Sequence, residues 1–486
     1  MFNVRASFFH KALVIGIACA LSACSTLPHY SQPQTAVPDH YAGAPQAASG
    51  WTVATPADAQ PRGPWWTLYG DDELNRLEAQ VDVSNQTVRK AVAQLQAARA
   101  MVDYQRAGYA PVVTAGAAQS RARTSQNVVG KSLAGKTVPD YSVGVAASWE
   151  PDLFGRVKDA TVNARDNAQA SEADLQSVRL SVATDLAIDY FDLRSLDRQK
   201  KLLDDTVTAY AAALQIVQQQ LKYGAIDASA VAQAQTQLES TRTQDSDIDV
   251  QRAQFQHAIA TLIGKPASSF ALPPSVEKVV LPQIPTGVPS QLLERRPDIA
   301  AAERRVAAAN AQIGEAHAAF YPDLTLSAAA GLESTYFTPW FTAPSLFWSL
   351  GAQIAGTLFD GSRRTAVLKN ATAQYDGAVA DYRQTVLVAF QQVEDNLAAL
   401  NTLASEADSQ QRAISAAALS LRLTTNRYQA GAVSYLDVVS AQTIALTNER
   451  TADQIDARRV DASVQLLKAL GGGWDRATLT DAQASE

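Results

Sequence analysis

One stretch of the sequence has the residue types and spacing of a nucleotide-binding loop. GKSLAGKT, residues Gly130 to Thr137, matches G-x-x-x-x-G-K-[ST] at every fixed position. Such a loop needs a strand before it and a helix directly after it, so that backbone amides and the helix N-terminus meet the phosphates. Here Val138-Pro139-Asp140 follows, and then an alternating apolar and polar run. The sequence therefore predicts a connection between two strands rather than a nucleotide site.

Other catalytic or metal-binding patterns are weaker still. The histidines that follow the N-terminal leader are scattered and form neither an HExxH motif nor a Cys/His cluster: His29, His40, His257 and His317. Cys19 lies within the leader, which leaves Cys24 as the single cysteine beyond it and excludes a disulfide. We expect no enzyme activity, no cofactor and no metal.

Residues 1–23 are predicted to be a signal peptide. Arg5 and Lys11 precede a short apolar run, and the run ends in Leu21-Ser22-Ala23-Cys24. This ending resembles the lipobox of bacterial lipoproteins, which implies cleavage before Cys24, lipidation of that cysteine and, with serine next to it, sorting to the outer membrane. The alternative is an ordinary secretory signal with an incidental cysteine.

Composition and charge narrow the class of partner. The formal net charge is −7 for the whole chain and becomes −9 once Arg5 and Lys11 are removed, so we expect no nucleic-acid partner. No segment after the leader has 18 consecutive apolar residues, which argues against a transmembrane helix. A protein sorted to the outer membrane must then cross it as a β-barrel or remain on its surface.

The chain contains an internal repeat of about 200 residues. AGYAP at 107–111 corresponds to AAFYP at 318–322, and KYGAIDASAVAQAQT at 222–236 corresponds to YQAGAVSYLDVVSAQT at 428–443. Proline-rich stretches precede both units. We divide the chain into a signal peptide (1–23), a lipidated proline-rich segment (24–64), a first repeat (65–264), a linker (265–298), a second repeat (299–474) and a tail (475–486).

Each repeat contains the same order of elements. Alternating apolar and small polar residues predict four strands, at about 112–121, 140–150, 323–333 and 347–358. Proline-free segments with a spacing of three and four residues follow at 155–221 and 362–432, and they predict very long helices of the coiled-coil type. Turns at Gly224 and Gly431 should send the chain back along second helices that end at Gly264 and Gly471.

Four membrane strands in one chain cannot close on themselves and leave two edges unpaired in lipid. Other copies must therefore complete the sheet. Three copies give twelve strands, within the range known for such barrels, and we prefer this number. The strand pattern alone also permits four copies.

Two longer motifs resemble those of the outer-membrane efflux lipoproteins of the NodT/TolC type. They are PTGVPSQLLERRPDI at 285–299 and YQAGAVSYLDVVSAQ at 428–442. The resemblance implies a mainly α fold with a membrane β part, namely a trimeric twelve-stranded β-barrel continued by a periplasmic α-helical barrel. It also implies an outer-membrane homotrimer, a periplasmic adaptor protein and an inner-membrane pump, often of the resistance-nodulation-division class. The exported cargo cannot be read from the sequence.

The same resemblance suggests where such a duct narrows. It places constriction candidates just after the second turn, at Tyr428, Leu436 and Ser440. Relatives often carry Asp where Ser440 stands and Arg where Thr443 stands, so the ionic pair is missing and an apolar constriction at Leu436 is favoured. Asp437 is a further gate candidate, although Ser434-Tyr435-Leu436-Asp437 also has the form of a helix capping box.

The two turns are the predicted docking points for the adaptor. Gly224 and Ala225 form the first, and Gly431 and Ala432 form the second. The simpler interpretation of both glycines is a turn that requires positive φ, and it is compatible with docking. A different function also stays open, that of a lipid-anchored periplasmic coiled-coil protein without a pore. The alternating strands, placed equivalently in both repeats, argue against it.

Overall fold

The computed structural model describes residues 29–35, 37–38, 41–42, 64–127, 135–282, 284 and 295–474. The predicted signal peptide, Cys24, most of the PTGVPSQLLERRPDI motif and the tail at 475–486 lie outside the described residues. Seven α-helices and four strands within these ranges are considered below, numbered in chain order.

The first repeat contains α1 (Asp72–Ser84), α2 (Gln86–Arg106), β1 (Val112–Arg123), β2 (Thr137–Trp149), α3 (Arg156–Lys222) and α4 (Ala228–Leu262). The second contains α5 (Pro297–Ala318), β3 (Asp323–Ser334), β4 (Leu346–Ala355), α6 (Arg363–Gln429) and α7 (Tyr435–Ala469). The predicted order of elements is thus confirmed in both repeats. The long helices α3 and α6 have 67 residues each, which makes each about 100 Å long.

The four strands form one antiparallel sheet in the order β1-β2-β3-β4. Gly144 of β2 pairs with Gly116 of β1 and with Gly331 of β3. A Cβ atom on Gly144 or Gly331 would run into the backbone of the neighbouring strand, so glycine permits this close approach. Neither β1 nor β4 has a partner on its outer edge among the described residues, and side chains on both faces of the sheet are exposed or half-exposed.

The strand bounds differ from the predicted ones by a few residues. β1 continues to Arg123 and β2 begins at Thr137, because these two residues pair with each other at the end of the hairpin. β4 was predicted to reach residue 358, and it ends at Ala355. Ala355 pairs with Asp323, the first residue of β3, and Pro322 before it has no amide hydrogen with which to extend the ladder.

The helices pack in two rows of four. Toward the sheet the order is α2-α3-α5-α6, and toward the turns it is α4-α3-α7-α6. In both rows α3 has a neighbour on each side, whereas α6 lies at the end of the row. The largest hydrophobic core lies where the two rows meet and includes Leu74, Leu186, Tyr190 and Val464. No helix in the described ranges is both long enough and apolar enough to cross a bilayer.

A segment of the linker binds the first pair of long helices from outside. The buried carboxylate of Asp197 on α3 binds Arg194 at 3.1 Å and Arg252 of α4 at 2.6 Å. The two arginines in turn donate to the carbonyl oxygens of Pro273 and Leu272, at 2.7 and 2.8 Å. The linker backbone at Leu272 and Pro273 is therefore fixed to the first pair of long helices by its carbonyl groups.

The beginning of α5 is a second such junction. Arg296 is buried and donates to both carboxylate oxygens of Asp298, at 3.0 and 2.6 Å, and to Gln392 of α6 at 2.8 Å. It also donates to the carbonyl oxygen of Ala469 at the end of α7, at 3.3 Å. The Arg296-Pro297-Asp298 motif thus joins three helices and has a structural role at the start of α5.

Candidate periplasmic entrance

The two turns that join the long helices have the same backbone geometry. Gly224 and Gly431 adopt φ of 69° and 72°. The amide of Ala225 donates to the carbonyl of Gln220 at 2.9 Å, and the amide of Ala432 donates to that of Arg427 at 2.8 Å. This six-to-one hydrogen bond around a left-handed glycine is the Schellman ending of a helix. The prediction of positive-φ turns at both glycines is confirmed.

The helices that leave the turns are capped by different residues. Asp227 caps α4 by accepting hydrogen bonds from the amides of Ser229 and Ala230, at 2.8 and 3.3 Å. Hydrogen bonds from the Ser229 hydroxyl and then from these two amides lower the pKa of Asp227. On α7 the carboxylate of Asp437 accepts from the amide and the hydroxyl of Ser434, at 2.9 and 2.8 Å. The predicted capping box is therefore present.

Tyr428 connects the second hairpin to the first. Its hydroxyl donates to Gln220 Oε1 of α3 at 2.8 Å, and its ring meets that of Tyr435 edge-on, with centroids 5.5 Å apart. Tyr435 and Val438 are buried against Val217 of α3. Burial raises the pKa of Tyr428. Burial, together with smaller contributions from Tyr428 and Tyr210, raises the pKa of Tyr435. Both phenols are therefore neutral hydrogen-bonding groups at neutral pH.

Leu436 and Ser440 lie on the exposed face of α7, away from this contact. Leu436 is 52% exposed, although it stands between the buried Tyr435 and the capping Asp437. The hydroxyl of Ser440 donates to the carbonyl of Leu436 at 2.9 Å, one turn back along the same helix. The structure therefore separates the four constriction candidates: Tyr428 faces the first hairpin, Asp437 caps a helix, and Leu436 and Ser440 share a free surface.

Sequence reasoning missed a ladder of polar contacts between the two hairpins. Besides Gln220 with Tyr428, Gln237 Nε2 of α4 donates to the hydroxyl of Thr443 at 3.2 Å, and Arg450 Nη1 of α7 donates to Gln244 Oε1 at 2.6 Å. The ladder continues at Asp453, which accepts from Ser195 and Arg198 of α3, each at 2.6 Å. The available signal was the recurrence of glutamines at seven-residue spacing in α4, at 237 and 244.

The last residues of GKSLAGKT show whether a strand or a phosphate-binding helix follows this pattern. Thr137, which would open the phosphate-binding helix, is instead the first residue of β2, and the amide of Gly135 donates to the carbonyl of Thr124 at 2.8 Å. The prediction of a strand connection is confirmed for these residues, while residues 130–134 lie outside the described ones. Within the described ranges no three His, Cys, Asp or Glu side chains come together as metal ligands would.

The family model for outer membrane efflux proteins matches residues 79–265 and 288–472. The chain belongs to the outer membrane efflux protein family. It is 32% identical to the outer membrane protein OprJ of Pseudomonas aeruginosa over 94% of this chain and 95% of OprJ. It is 30% identical to the cation efflux system protein CusC of Escherichia coli strain K12, over 95% of this chain and 99% of CusC.

Solved structures give the same result for the fold. A membrane protein from Pseudomonas aeruginosa superimposes with a TM-score of 0.86 at 31% identity, covering 94% of this chain and 100% of that one. The chain is therefore an outer-membrane efflux channel with a large periplasmic helical part, as the resemblance implied. This finding overturns the alternative of a coiled-coil protein without a pore. The family and the relatives are channel proteins.

Proposed function

We propose that three copies of this chain form the passive exit duct of a tripartite efflux system, with the two helical turns at the periplasmic end. The observation that carries this proposal is the open sheet. β1 and β4 leave their outer backbone groups unpaired within the described chain, and such groups cost several kcal/mol each in lipid. Joining β4 of one copy to β1 of the next pairs both edges, and three copies give twelve strands.

The side chains of β4 support a membrane position for the sheet. Trp348, Leu350 and Ile354 lie on one face of this strand and are all strongly exposed. Polar Ser349 and Gln353 alternate with them and lie on the opposite face. An apolar face toward lipid and a polar face toward a water-filled interior are the arrangement expected of membrane strands.

The oligomer is tested by heat-modifiable gel migration together with single-channel conductance in planar bilayers. We expect a band at three times the chain mass in unheated samples and discrete conductance steps from that band. A stable monomer without conductance, purified from membranes in mild detergent, would be incompatible with a shared barrel.

The turn end of the duct is proposed to close by an apolar constriction and by a hydrogen bond. Leu436 projects from the free face of α7, where three copies would present three leucines, and Ser440 beside it supplies no charge. Tyr428 and Gln220 tie the second hairpin to the first at 2.8 Å. Movement of the hairpins that opens the end must break this tie. Asp437 is proposed to act on the entrance through its capping of α7.

This closure is tested by conductance and by uptake of vancomycin in cells. Leu436→Ala and Tyr428→Phe should each raise the conductance of the purified channel and the sensitivity of the cells, since one widens the constriction and the other removes the tie. Ile444→Ala is the matched control, because it shortens an exposed apolar side chain on the same face two turns farther from the end. Unchanged conductance and uptake in both variants would refute the assignment.

The two turns are proposed to dock a periplasmic adaptor, which connects the duct to an inner-membrane pump of the resistance-nodulation-division class. Both present left-handed glycines in open space, with nothing within 4 Å of the positions where Cβ atoms would lie at Gly224 and Gly431. Cysteines introduced at Ala225 and Ala432 should form crosslinks with the co-expressed adaptor. A cysteine at exposed Val250 on α4 should form none, and equal crosslinking at all three positions would contradict docking at the turns.

Cys24 is proposed to carry the lipid anchor. Cleavage before Cys24 would place its thiol and its new amino group at the first position of the chain, where both can be acylated. Cells grown with radiolabelled palmitate should label the wild-type protein and not the Cys24→Ser variant. Labelling that persists in the variant would show that the lipidation site lies elsewhere.

A further inference from the structure

A cleft of about 450 Å³ opens where α1, the middle of α3 and the segment after α7 meet. Its size is in the range of small-molecule sites. Its side-chain walls include three indoles, two carboxyl groups and a guanidinium, from Trp65, Trp66, Glu78, Asp82, Arg179 and Trp474. Along α3 it lies about 60 Å from the turn end, at 1.5 Å per residue, and none of the entrance residues lines it.

A run of three glycines builds one side of this cleft. Gly471, Gly472 and Gly473 follow α7 with φ of 93°, 60° and 94°, which L side chains rarely adopt. A Cβ atom on Gly472 would overlap the side chain of Leu180 and press on Trp65. The glycines therefore turn the chain tightly against α3, and Trp474, which packs on Ala173, Ala300 and Ala301, closes the cleft.

The carboxyl group of Glu78 is the unusual feature of this site. Glu78 is 3% exposed, and within the described part of the chain neither of its oxygens has a hydrogen-bond partner. Arg179 does not neutralise it, since its guanidinium pairs with Asp82 at 3.1 Å. Burial, with a smaller contribution from the charge of Asp82, raises the pKa of Glu78 to about 9. Glu78 is therefore protonated at neutral pH.

The indole nitrogens of Trp65 and Trp474 are likewise buried and lack partners among the described residues. A native fold rarely leaves several polar groups of one cleft unsatisfied, because each such group gives up its hydrogen bonds to water without replacing them. A ligand that satisfies them must offer positive charge to the carboxyl group and an oxygen acceptor to the indole N–H groups.

We propose that this cleft binds an organic cation, with the ammonium group against Glu78, an apolar body among the indoles and an oxygen acceptor for their N–H groups. Indole faces attract cations, and the cation replaces the proton of the carboxyl group, which leaves to solvent. An anion finds no free positive charge here, because Asp82 already offsets the charge of Arg179 and protonated Glu78 carries none. A metal ion would need more oxygen or nitrogen ligands, and the described residues bring no three suitable side chains together.

The probe for this proposal is benzoylcholine, whose quaternary ammonium keeps its charge at every pH, measured by titration calorimetry against the purified full chain. Because the ligand displaces the Glu78 proton, its affinity should rise by up to about tenfold per pH unit between pH 6 and pH 8.5. Binding at pH 7 should release one proton, seen as a dependence of the heat on the buffer. Neutral methyl benzoate and anionic benzoate should bind at least about tenfold more weakly. Equal affinities for the three compounds would overturn the proposal.

Three variants distinguish binding at this cleft from general adhesion of a cation to the protein. Glu78→Gln keeps the shape of the side chain and should remove both the pH dependence and the proton release. Glu73→Gln is the matched control on the same helix, where Glu73 binds Arg76 at 2.9 Å outside the cleft, and it should bind as the wild type does. Trp474→Leu should weaken binding while the pH dependence remains. If Glu78→Gln retained the pH dependence, the proton displaced by the ligand would come from another group, and the assignment of the cation to Glu78 would be wrong.

Discussion

Helices α3 and α6 occupy the same place in the two repeats and have the same length, yet they differ sharply in burial. α3 has buried side chains along most of its length, whereas those of α6 are few and widely spaced. Leu180 of α3 and Leu387 of α6 are 207 residues apart, as Gly224 and Gly431 are. Leu180 packs against the main core, and Leu387 is 59% exposed.

The helix rows explain this difference. α3 has neighbours on both sides in each row, while α6 ends both rows and leaves a lateral face with Leu387, Leu419 and Leu423 exposed. Exposed leucines on the unpartnered side of a long helix are typical of a surface that another chain covers. We propose that position within the row, rather than the repeated sequence, decides which helix completes the core of one chain and which helix meets a neighbouring copy.

The largest effect is expected from a charge on the exposed face of α6. Leu387→Glu should abolish the trimer, because each of three interfaces would then bury an unpaired carboxylate at a cost of about 3–5 kcal/mol. Unheated gel migration and single-channel conductance measure the loss. Val83→Glu is the control, since Val83 of α1 is 70% exposed and lies on neither end of a helix row. Equal loss in both variants would mean that α6 has no special role in assembly.

The next largest effect is a difference in stability between alanine variants of Leu180 and Leu387. Leu180→Ala should lower the free energy of unfolding of the chain by about 1–2 kcal/mol, because it removes packed methyl groups from a half-buried site. Leu387→Ala should change the stability of the dissociated chain by less than about 0.5 kcal/mol. Urea unfolding in detergent, under conditions where the trimer has dissociated, distinguishes the two. A greater loss for Leu387→Ala would reverse the assigned roles.

The sequence predicted the repeat, the four strands, the long helices and both turns because these depend on local periodicity, proline placement and glycine. It could not predict that α3 lies inside both rows and α6 at their ends, since the two helices have similar apolar spacing and burial depends on which helices pack beside them. For the entrance, the sequence proposed Leu436 as an apolar constriction, which stays a prediction, and it predicted the capping box that contains Asp437, which the structure contains. It missed the tie from Tyr428 to Gln220, which lie 208 positions apart.

A smaller and symmetrical effect is expected at the turns, where the two repeats agree. Gly224→Ala and Gly431→Ala should each cost about 1–2 kcal/mol, because alanine is disfavoured at φ near 70° although nothing obstructs its methyl group. Hydrogen exchange of the amides of Ala225 and Ala432 should show the increase in local opening. Gly377→Ala, about four turns into α6 and also in open space, should slow exchange of the neighbouring amides instead. A marked difference in the change of exchange rate between the two turns would show that they are not equivalent.

The smallest expected effect concerns charge, and it again depends on the interior position of α3. Burial, together with the charges of Asp192 and then Asp185, raises the pKa of Asp189 on α3 to about 6. Burial alone raises the pKa of Asp192 to about 6. Burial, together with the charge of Asp192, raises the pKa of Asp461 on α7 to about 7. The repeat-equivalent positions on α6 are Asn396 and Ala399, which carry no charge.

These raised values make the folded state bind more protons than the unfolded state between about pH 4 and pH 7, so the free energy of unfolding should fall as pH rises through that window. Asp461→Asn removes one of the groups. It should raise the free energy of unfolding at pH 8 by an amount on the order of 1 kcal/mol and leave the free energy of unfolding at pH 4 nearly unchanged, as measured by urea unfolding. Asp395→Asn, on the exposed surface of α6, should change neither value. Stabilisation by Asp461→Asn at pH 4 as well as at pH 8 would show that the gain comes from packing rather than from a buried charge.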